Sequence, residues 1–241
     1  MCTVSWLRQP EGGYHLLCNR DEKRSRGEAA PPRVESWGGV TVVAPRDGEA
    51  GGTWIAVNDS GVSVCLLNGP NSDRSMRLTS RGMLLLALAP ARSAAEACER
   101  ARQTDLSRVA PFTLLVLEPH RPAVVMEWDG DRATPAADAD SLLPLVSSSV
   151  DAAGAVAQRR AEFARLTHGG RRLTAASLRA FHGSHGCGGA SAYSPCIHRA
   201  DACTVSFSWI TVTRQWVEFF YAPGPPCERR SGQSTRLARR T

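Results

Sequence analysis

The chain has 241 residues, of which 42% are hydrophobic and 22% are charged, and its formal net charge is +6. A chain of this length and composition can bury a sizeable core, which excludes a disordered protein and predicts a globular one. The longest apolar run, from Met83 to Ala89, is too short to cross a bilayer, and the N-terminus lacks the apolar stretch of a signal peptide. We therefore expect a cytoplasmic protein without a transmembrane segment.

The surplus positive charge is concentrated at the C-terminal end, where residues 229–241 contain five arginines and no acidic residue. The remainder of the chain is close to neutral, so specific binding to nucleic acid is not expected. Because the end of the chain is rich in Ser, Arg and Gly, we predict a single domain over residues 1–228 followed by a basic, disordered tail. A contact of this tail with nucleic acid or an anionic membrane remains a weaker alternative.

The first predicted element is a β-hairpin around the turn sequence Gln9–Gly13. A turn centred near Gly12 places Cys2 opposite a residue in the range 20–23. The charged tetrapeptide Asn19-Arg20-Asp21-Glu22 occupies that range. The sequence therefore predicts that Cys2 and this tetrapeptide meet in space.

The rest of the chain alternates between strand and helix signals. A proline-marked loop is expected over residues 30–36, and short strands are expected at 40–44, 53–57, 62–67, 112–117 and 123–128. Helices are expected at 78–88, after a capping box that begins at Ser93, at 152–166 and near 174. The sequences TVSFSWITV and WVEFFY predict a closing hairpin. Hairpins at both ends with helices between them indicate antiparallel sheet covered by helices, the α+β class.

Cys2 is a candidate nucleophile because of its position. Aminopeptidases remove an initiator methionine that precedes a small residue, so the mature chain would carry an α-amine and a thiol on the same cysteine. That amine titrates near ~8, close to the thiol at ~8.5, and can serve as a general base. Arg20 could lower the pKa of the thiol, and Asp21 could hold the ammonium or polarise the arginine. Spacing alone leaves open an incidental second residue and a polar strand end.

Several short motifs occur in a fixed order over the first 70 or so residues. They are MCT, Cys18-Asn19-Arg20-Asp21-Glu22, Pro31-Pro32, Trp37, Ala44-Pro45-Arg46-Asp47, Gly51-Gly52-Thr53-Trp54 and Leu66-Leu67-Asn68. In this order they resemble the NRDE family, which includes the transport and Golgi organisation proteins. That family in turn resembles the N-terminal nucleophile (Ntn) hydrolases, with the cysteine-type penicillin V acylases and choloylglycine hydrolases as the closest comparison. The resemblance implies a four-layer αββα sandwich of antiparallel sheets.

The same resemblance implies catalytic roles. Cys2 would be the nucleophile, Arg20 and Asp21 would assist it, and the side-chain amide of Asn68 would donate to the oxyanion. A fixed amide donor of this kind is worth ~3 kcal/mol. Asn68 ends a predicted strand before Gly69, which suits this role, although an ordinary turn asparagine explains the same letters.

The remaining site candidates would bind substrate. Ser148 stands where NRDE proteins often have an asparagine, and Arg199 is the nearest match to an arginine that the hydrolases carry before a late strand. His198 and Arg199 could read a substrate carboxylate. Trp54 could wall a pocket, although a core tryptophan explains it equally well. Asn19 completes the set of substrate-binding candidates.

Metal-capable side chains are concentrated between residues 182 and 199. A tetrahedral zinc site of His185, Cys187, Cys196 and His198 is conceivable, but the CxxC pairing typical of structural zinc is absent. The sequence therefore predicts no metal site and a loop beside the mouth of the active site. The eight cysteines are expected to be free thiols.

Two functions follow as hypotheses. The first is an N-terminal-cysteine amidohydrolase or acyltransferase that acts, without a cofactor, on a small non-peptide amide or thioester through an acyl-enzyme. The alternative is a non-catalytic protein that binds or carries haem, lipid or acyl-CoA. In that case Cys2 and His198 would bind the ligand, for example as ligands of haem iron. Either hypothesis implies a small amphipathic molecule as partner.

Overall fold

The computed structural model describes residues 2–69, 79–228 and 231–240. The strands of these residues are β1 (Cys2–Arg8), β2 (Tyr14–Lys23), β3 (Ala30–Trp37), β4 (Val40–Arg46), β5 (Ile55–Asn58), β6 (Ser63–Asn68), β7 (Phe112–Leu117), β8 (Val124–Trp128), β9 (Ala133–Pro135), β10 (Leu145–Ser147), β11 (Ala202–Val212), β12 (Trp216–Pro223) and β13 (Gln233–Ala238). The α-helices are α1 (Arg81–Leu88), α2 (Ala94–Gln103), α3 (Ala152–Thr167) and α4 (Ala175–His182).

The strands form two antiparallel sheets. One sheet has the order β10-β1-β2-β11-β12-β13, and the other has the order β3-β4-β5-β6-β7-β8-β9. The N-terminal hairpin and the β11–β12 hairpin, both predicted from the sequence, lie side by side at the centre of the first sheet.

Alternation along the strands divides the core into three apolar clusters. In β2, Leu16 and Cys18 point into the cluster between the two sheets, whereas Leu17 packs with Phe163 and Phe181 beneath α3 and α4. The outer face of the seven-stranded sheet is covered by α1 and α2. The layers are therefore α, β, β and α, as the resemblance implied, and the fold is α+β.

The helices begin where the sequence places their caps. Ser93 Oγ accepts a hydrogen bond from the backbone N–H of Glu96 at 3.1 Å, and Thr174 caps α4 through the N–H of Ser177 at 3.1 Å. Leu78, the expected start of the first helix, lies outside the described residues. No helix of the described residues is long and apolar enough to span a bilayer.

The expected loop over residues 30–36 is wrong, because this segment is β3, an edge strand of the seven-stranded sheet. Pro31 and Pro32 coincide with an irregularity of the β3–β4 ladder between Ala30 and Arg33. An edge strand tolerates proline where no ladder N–H is needed, so the prolines mark an edge rather than a loop.

The basic tail also differs from the disorder that the sequence predicts, because β13 extends the first sheet beyond β12. The Arg236 guanidinium lies 4.1 Å from the centre of the Trp216 ring, and Leu237 packs against the central cluster. Arg240 pairs with Asp59 at 3.3 Å. Arg236 and Arg240 thus have individual partners on the domain, which a composition argument does not detect.

Candidate active site

The register of the first hairpin pairs Cys2 with Arg20 and Thr3 with Asn19. The expected meeting of Cys2 with the charged tetrapeptide is therefore confirmed at Arg20. Side chains directly opposite each other in an antiparallel pair share one face of the sheet. Cys2 belongs to the cluster between the sheets, so Arg20 faces the same interior.

The tetrapeptide divides its side chains between the two faces of the sheet. Arg20 lies on the Cys2 side, whereas Asn19 and Asp21 contact the helical layer that includes α3 and α4. All three side chains are buried. Arg20 can therefore act beside Cys2, whereas Asn19 and Asp21 join the sheet to the helices.

Cys2 is almost completely buried, with 6% of its surface exposed. Its backbone nitrogen donates a hydrogen bond to Ser147 Oγ at 2.8 Å, because β10 pairs with β1 and sets Ser147 opposite Cys2. A hydrogen bond with the Cys18 thiol, together with burial, raises the pKa of the Cys2 thiol well above its usual value. In this environment the thiol is protonated at neutral pH.

Arg20 has two close neighbours, and its Nη2 also lies 3.9 Å from Glu22 Oε2. Its Nη2 lies 2.5 Å from Asp47 Oδ2, and its guanidinium stacks 4.4 Å from the centre of the Trp54 ring. Arg26 also binds Asp47, at 2.8 Å. Burial opposes ionisation of Asp47, but hydrogen bonds from Arg26 and the N–H of Ala50 outweigh it and lower the pKa of this carboxyl to about 2. The guanidinium of Arg20 is therefore fixed by a carboxylate that is ionised at neutral pH.

Asp21 does not polarise Arg20. Its Oδ2 lies 3.4 Å from Arg159 Nη1, and its Oδ1 accepts a hydrogen bond from Thr204 Oγ1 at 2.7 Å. Arg159 comes from α3 and also binds the hydroxyl of Thr3. Burial raises the pKa of the Asp21 carboxyl, and the neighbouring guanidinium and hydroxyl offset part of that effect. The carboxylates that pair with Arg20 are instead Asp47, at 2.5 Å, and Glu22, at 3.9 Å.

Asn19 is engaged by the protein itself. Its Nδ2 donates to the carbonyl oxygens of His182 at 2.8 Å and Pro195 at 2.9 Å, and its Oδ1 lies 3.0 Å from His182 Nδ1. Each polar atom of the amide therefore has a partner in a fully buried position. Asn19 therefore positions α4 and the following loop. The structure gives it this role in place of the expected contact with substrate.

The two expected donors to the oxyanion or substrate lie on different elements. Asn68 ends β6 with an exposed side chain, and β6 packs against β10. Ser148 follows β10, and its Oγ accepts from the N–H of Val150 at 3.3 Å. The residue that reaches Cys2 is the neighbouring Ser147, which the sequence analysis did not single out.

Trp54 is buried beside Arg20, and its indole Nε1 has no hydrogen-bond partner among the described residues. A buried indole N–H without a partner is costly and is usually satisfied. This buried donor is therefore left unsatisfied next to the guanidinium of Arg20.

A cavity of about 340 Å³ adjoins Arg20 on the side away from the hairpin turn. His198, Thr204, Tyr221 and Glu228 contribute to its lining. His198 therefore lies beside a cavity that Arg20 lines and that Cys2, Trp54 and Asn68 do not line. Arg199 instead pairs with Asp201 at 2.7 Å near the surface.

His198 belongs to a compact group of thiols and imidazoles. The ligand atoms of His185, Cys196, His198 and Cys227 all lie within 4.8 Å of one another. Cys187, which the sequence analysis considered in such a group, is exposed and lies outside it. Cys227 comes from a 3-10 helix after β12, and no sequence spacing connects it with the other three.

These observations can be compared with known proteins. The family model described as "Transport and Golgi organisation 2" matches residues 1–178. The chain belongs to this family. The comparison with curated proteins gives no match.

Solved structures share the fold of this family member. Penicillin V acylase from Agrobacterium tumefaciens has 14% identity and a TM-score of 0.56, with 93% of this chain and 84% of that chain covered. A mutant conjugated bile acid hydrolase from Clostridium perfringens has 10% identity and a TM-score of 0.57, with coverages of 99% and 92%. The Caenorhabditis elegans orthologue of N-acylethanolamine-hydrolyzing acid amidase has 15% identity and a TM-score of 0.60, with coverages of 87% and 92%. The fold is that of the Ntn hydrolases.

Proposed function

We propose that this family member is an Ntn-type amidohydrolase or acyltransferase, in which the mature Cys2 attacks a small non-peptide amide or thioester. The observation that carries the proposal is the pairing of Cys2 with Arg20 on one side and Ser147 on the other. Cys2, the nucleophile, thus lies between a strand that carries a fixed cation and a strand that carries a hydroxyl partner for its nitrogen.

Removal of Met1 would convert the peptide nitrogen of Cys2 into a primary amine. The Oγ of Ser147, 2.8 Å from that nitrogen, would orient the amine. The amine would take the thiol proton, and the sulfur would attack the carbonyl carbon of the substrate. The protonated amine would then donate its proton to the leaving amine or thiol as the carbon–nitrogen or carbon–sulfur bond breaks.

The acyl-enzyme would be a thioester on Cys2. Attack by water, deprotonated by the α-amine, would release a carboxylic acid and restore the thiol. Attack by an amine would instead transfer the acyl group. Arg20 would stabilise the thiolate, and we propose the amide of Asn68 and the free indole N–H of Trp54 as donors to the oxyanion or to substrate.

The deciding experiment is the intact mass of purified protein before and after a reagent selective for an N-terminal 1,2-aminothiol. We expect a chain without Met1 that adds the reagent once, and a variant Cys2→Ala that does not react. Incubation with a panel of acyl amides and acyl thioesters should then add an acyl mass to Cys2. Cys65→Ala, which removes another buried thiol of the same cluster, is the matched control and should still be acylated. Retention of Met1 in active protein would refute the mechanism.

A binding role is the second candidate function, and a separate cavity favours it. This cavity, of about 560 Å³, lies along α3 and is lined by apolar side chains such as Leu7, Phe163 and Leu173 together with Arg8 and Arg160. An apolar wall with neighbouring cations suits an amphipathic anion such as a fatty acid. Binding of a fluorescent fatty acid that is lost in Phe163→Ser but kept in Cys2→Ala would favour this role.

A further inference from the structure

A second group of potential metal ligands lies at one end of the central strands of the first sheet, in three segments of the chain. His185 follows α4, Cys196 and His198 precede β11, and Cys227 lies in the 3-10 helix Pro226–Glu228. Their ligand atoms converge within 4.8 Å of one another. The fold, rather than any local motif, creates this group.

Two distances within the group are close to those around one small cation. His198 Nε2 lies 3.1 Å from Cys227 Sγ and 3.7 Å from Cys196 Sγ. In a tetrahedral zinc site, with Zn–S near 2.3 Å and Zn–N near 2.0–2.1 Å, donor atoms stand about 3.3–3.8 Å apart. Both measured distances fall within a few tenths of an ångström of that range.

The fourth side chain points to a ligand independently of these distances. The Nε2 atom of His185 is buried and has no hydrogen-bond partner among the described residues. Its ring lies 5.1 Å from the ring of His198, centre to centre, at 87°. Buried imidazole nitrogens are ordinarily satisfied, so an orphan beside two thiols and a second imidazole indicates a bound electrophile.

We propose that His185, Cys196, His198 and Cys227 bind a zinc ion. Two thiolates and two neutral imidazoles form the ligand set of structural zinc, with no position left open for water or substrate. Binding would displace the two thiol protons to solvent, so that the dication and two thiolates give a neutral site. This proposal departs from the sequence analysis, which predicted no metal and considered Cys187 in place of Cys227.

The surrounding hydrogen bonds indicate what the ion would do. The N–H of Cys196 donates to the carbonyl of Ser184 at 3.0 Å, and Asn19 holds the carbonyl of Pro195. The loop between α4 and β11 is therefore already closed at its base, and zinc would join that base to the segment after β12. His198 and Glu228 line the cavity beside Arg20. The ion would consequently fix one wall of that cavity without entering the acyl-transfer chemistry.

The test uses the full chain, without a histidine tag and with its thiols reduced. We expect elemental analysis to find one zinc per chain in the wild type. Cys227→Ser and His185→Gln should lose stoichiometric zinc, whereas Cys187→Ser, the matched control from the same loop region, should retain it. No zinc in the wild type after exposure to excess Zn²⁺, or equal loss in Cys187→Ser and Cys227→Ser, would overturn the proposal.

A second measurement decides the question if a variant does not fold. Wild-type protein reconstituted with Co²⁺ should show the strong visible bands of tetrahedral cobalt and thiolate-to-metal charge transfer in the near ultraviolet. Weak octahedral bands without charge transfer would contradict the site. A Cys196–Cys227 disulfide would also contradict the site if the protein took up no metal after reduction. Such a disulfide would be detected as an intact mass lower by two hydrogens and assigned by peptide mapping. These readouts do not depend on acylation of Cys2.

Discussion

Cys2 and Arg20 occupy paired positions on the first two strands, and the Arg20 guanidinium is clamped between Asp47 at 2.5 Å and the ring of Trp54 at 4.4 Å. A cation with both its position and its counter-ion fixed loses little entropy when a negative charge forms nearby. The thiol that it accompanies is protonated in the unprocessed chain. Reactivity of Cys2 should therefore depend on both removal of Met1 and retention of Arg20.

The first prediction concerns Arg20→Gln in protein that has lost Met1. Loss of one nearby cation typically changes the pKa of a thiol by about one unit, so the alkylation rate of Cys2 near pH 7 should fall about tenfold. The measurement is the rate of iodoacetamide modification, read by mass spectrometry of the N-terminal peptide. Arg26→Gln is the matched control, because Arg26 also binds Asp47 but is 30% exposed. Equal effects of the two substitutions would argue that charge near Asp47, and not Arg20 itself, matters.

The N-terminal register could be predicted because it depends on local features. The turn sequence fixes which residues oppose each other, and the two-residue alternation fixes which face each side chain takes. Cys2 and Arg20 could therefore be brought together from the sequence. The same reasoning named Asp21 as the partner of Arg20 and did not identify Asp47, since Asp47 approaches from the other sheet.

The residues and strands that the sequence did not identify have other causes. Arg159 in α3 and Cys227 after β12 reach their partners only through long-range packing, so no spacing in the sequence identifies them. Ser147 was overlooked in favour of Ser148 because the family motif, and not the strand alternation, guided the choice. β3 and β13 were missed since prolines and arginines, which usually mark loops and tails, also occur on edge strands.

The second prediction concerns the buried pair of Asp21 and Arg159, neither of which is exposed. Arg159→Met should lower the free energy of unfolding by about 3–5 kcal/mol, because it removes the arginine that pairs with the buried carboxylate of Asp21. Arg159→Met combined with Asp21→Asn should recover part of that loss, since no charge then remains unpaired. Chemical denaturation of the two single variants and the double variant measures the coupling. Additive losses would show that the two side chains do not stabilise each other.

The third prediction concerns the pH dependence of stability through His182. This side chain is fully buried, its Nδ1 donates to Asn19 Oδ1 at 3.0 Å, and its Nε2 accepts from Ser5 Oγ at 2.8 Å. Burial, with Arg179 and Arg159 nearby, lowers the pKa of His182 from 6.5 to about 3. The folded state therefore excludes a proton that the unfolded state binds below pH 6.5.

Stability from this effect is complete above pH 6.5 and is lost as the pH falls towards 3, by up to about 1.4 kcal/mol per pH unit. His182→Gln should be less stable than the wild type at neutral pH by about 1–3 kcal/mol, because Ser5 and Asn19 lose a well-placed partner. The gap between the two proteins should narrow on acidification. Urea denaturation at a series of pH values measures it, with the exposed His168→Asn as control. A gap that stays constant with pH would contradict a neutral, buried His182.

The last prediction concerns β13, which completes the first sheet where the sequence predicts a disordered tail. Its deletion, as a chain that ends at residue 230, should expose the outer edge of β12 and the face of Trp216. We expect the free energy of unfolding to fall by about 2 kcal/mol or more, since a six-residue ladder and the burial of Leu237 are lost together. Arg236→Ala, which removes only the contact with Trp216, should cost about 0.5–1 kcal/mol. Differential scanning calorimetry distinguishes the deletion from Arg236→Ala. An unchanged melting temperature on deletion would show that the segment is a solvated tail that does not stabilise the fold.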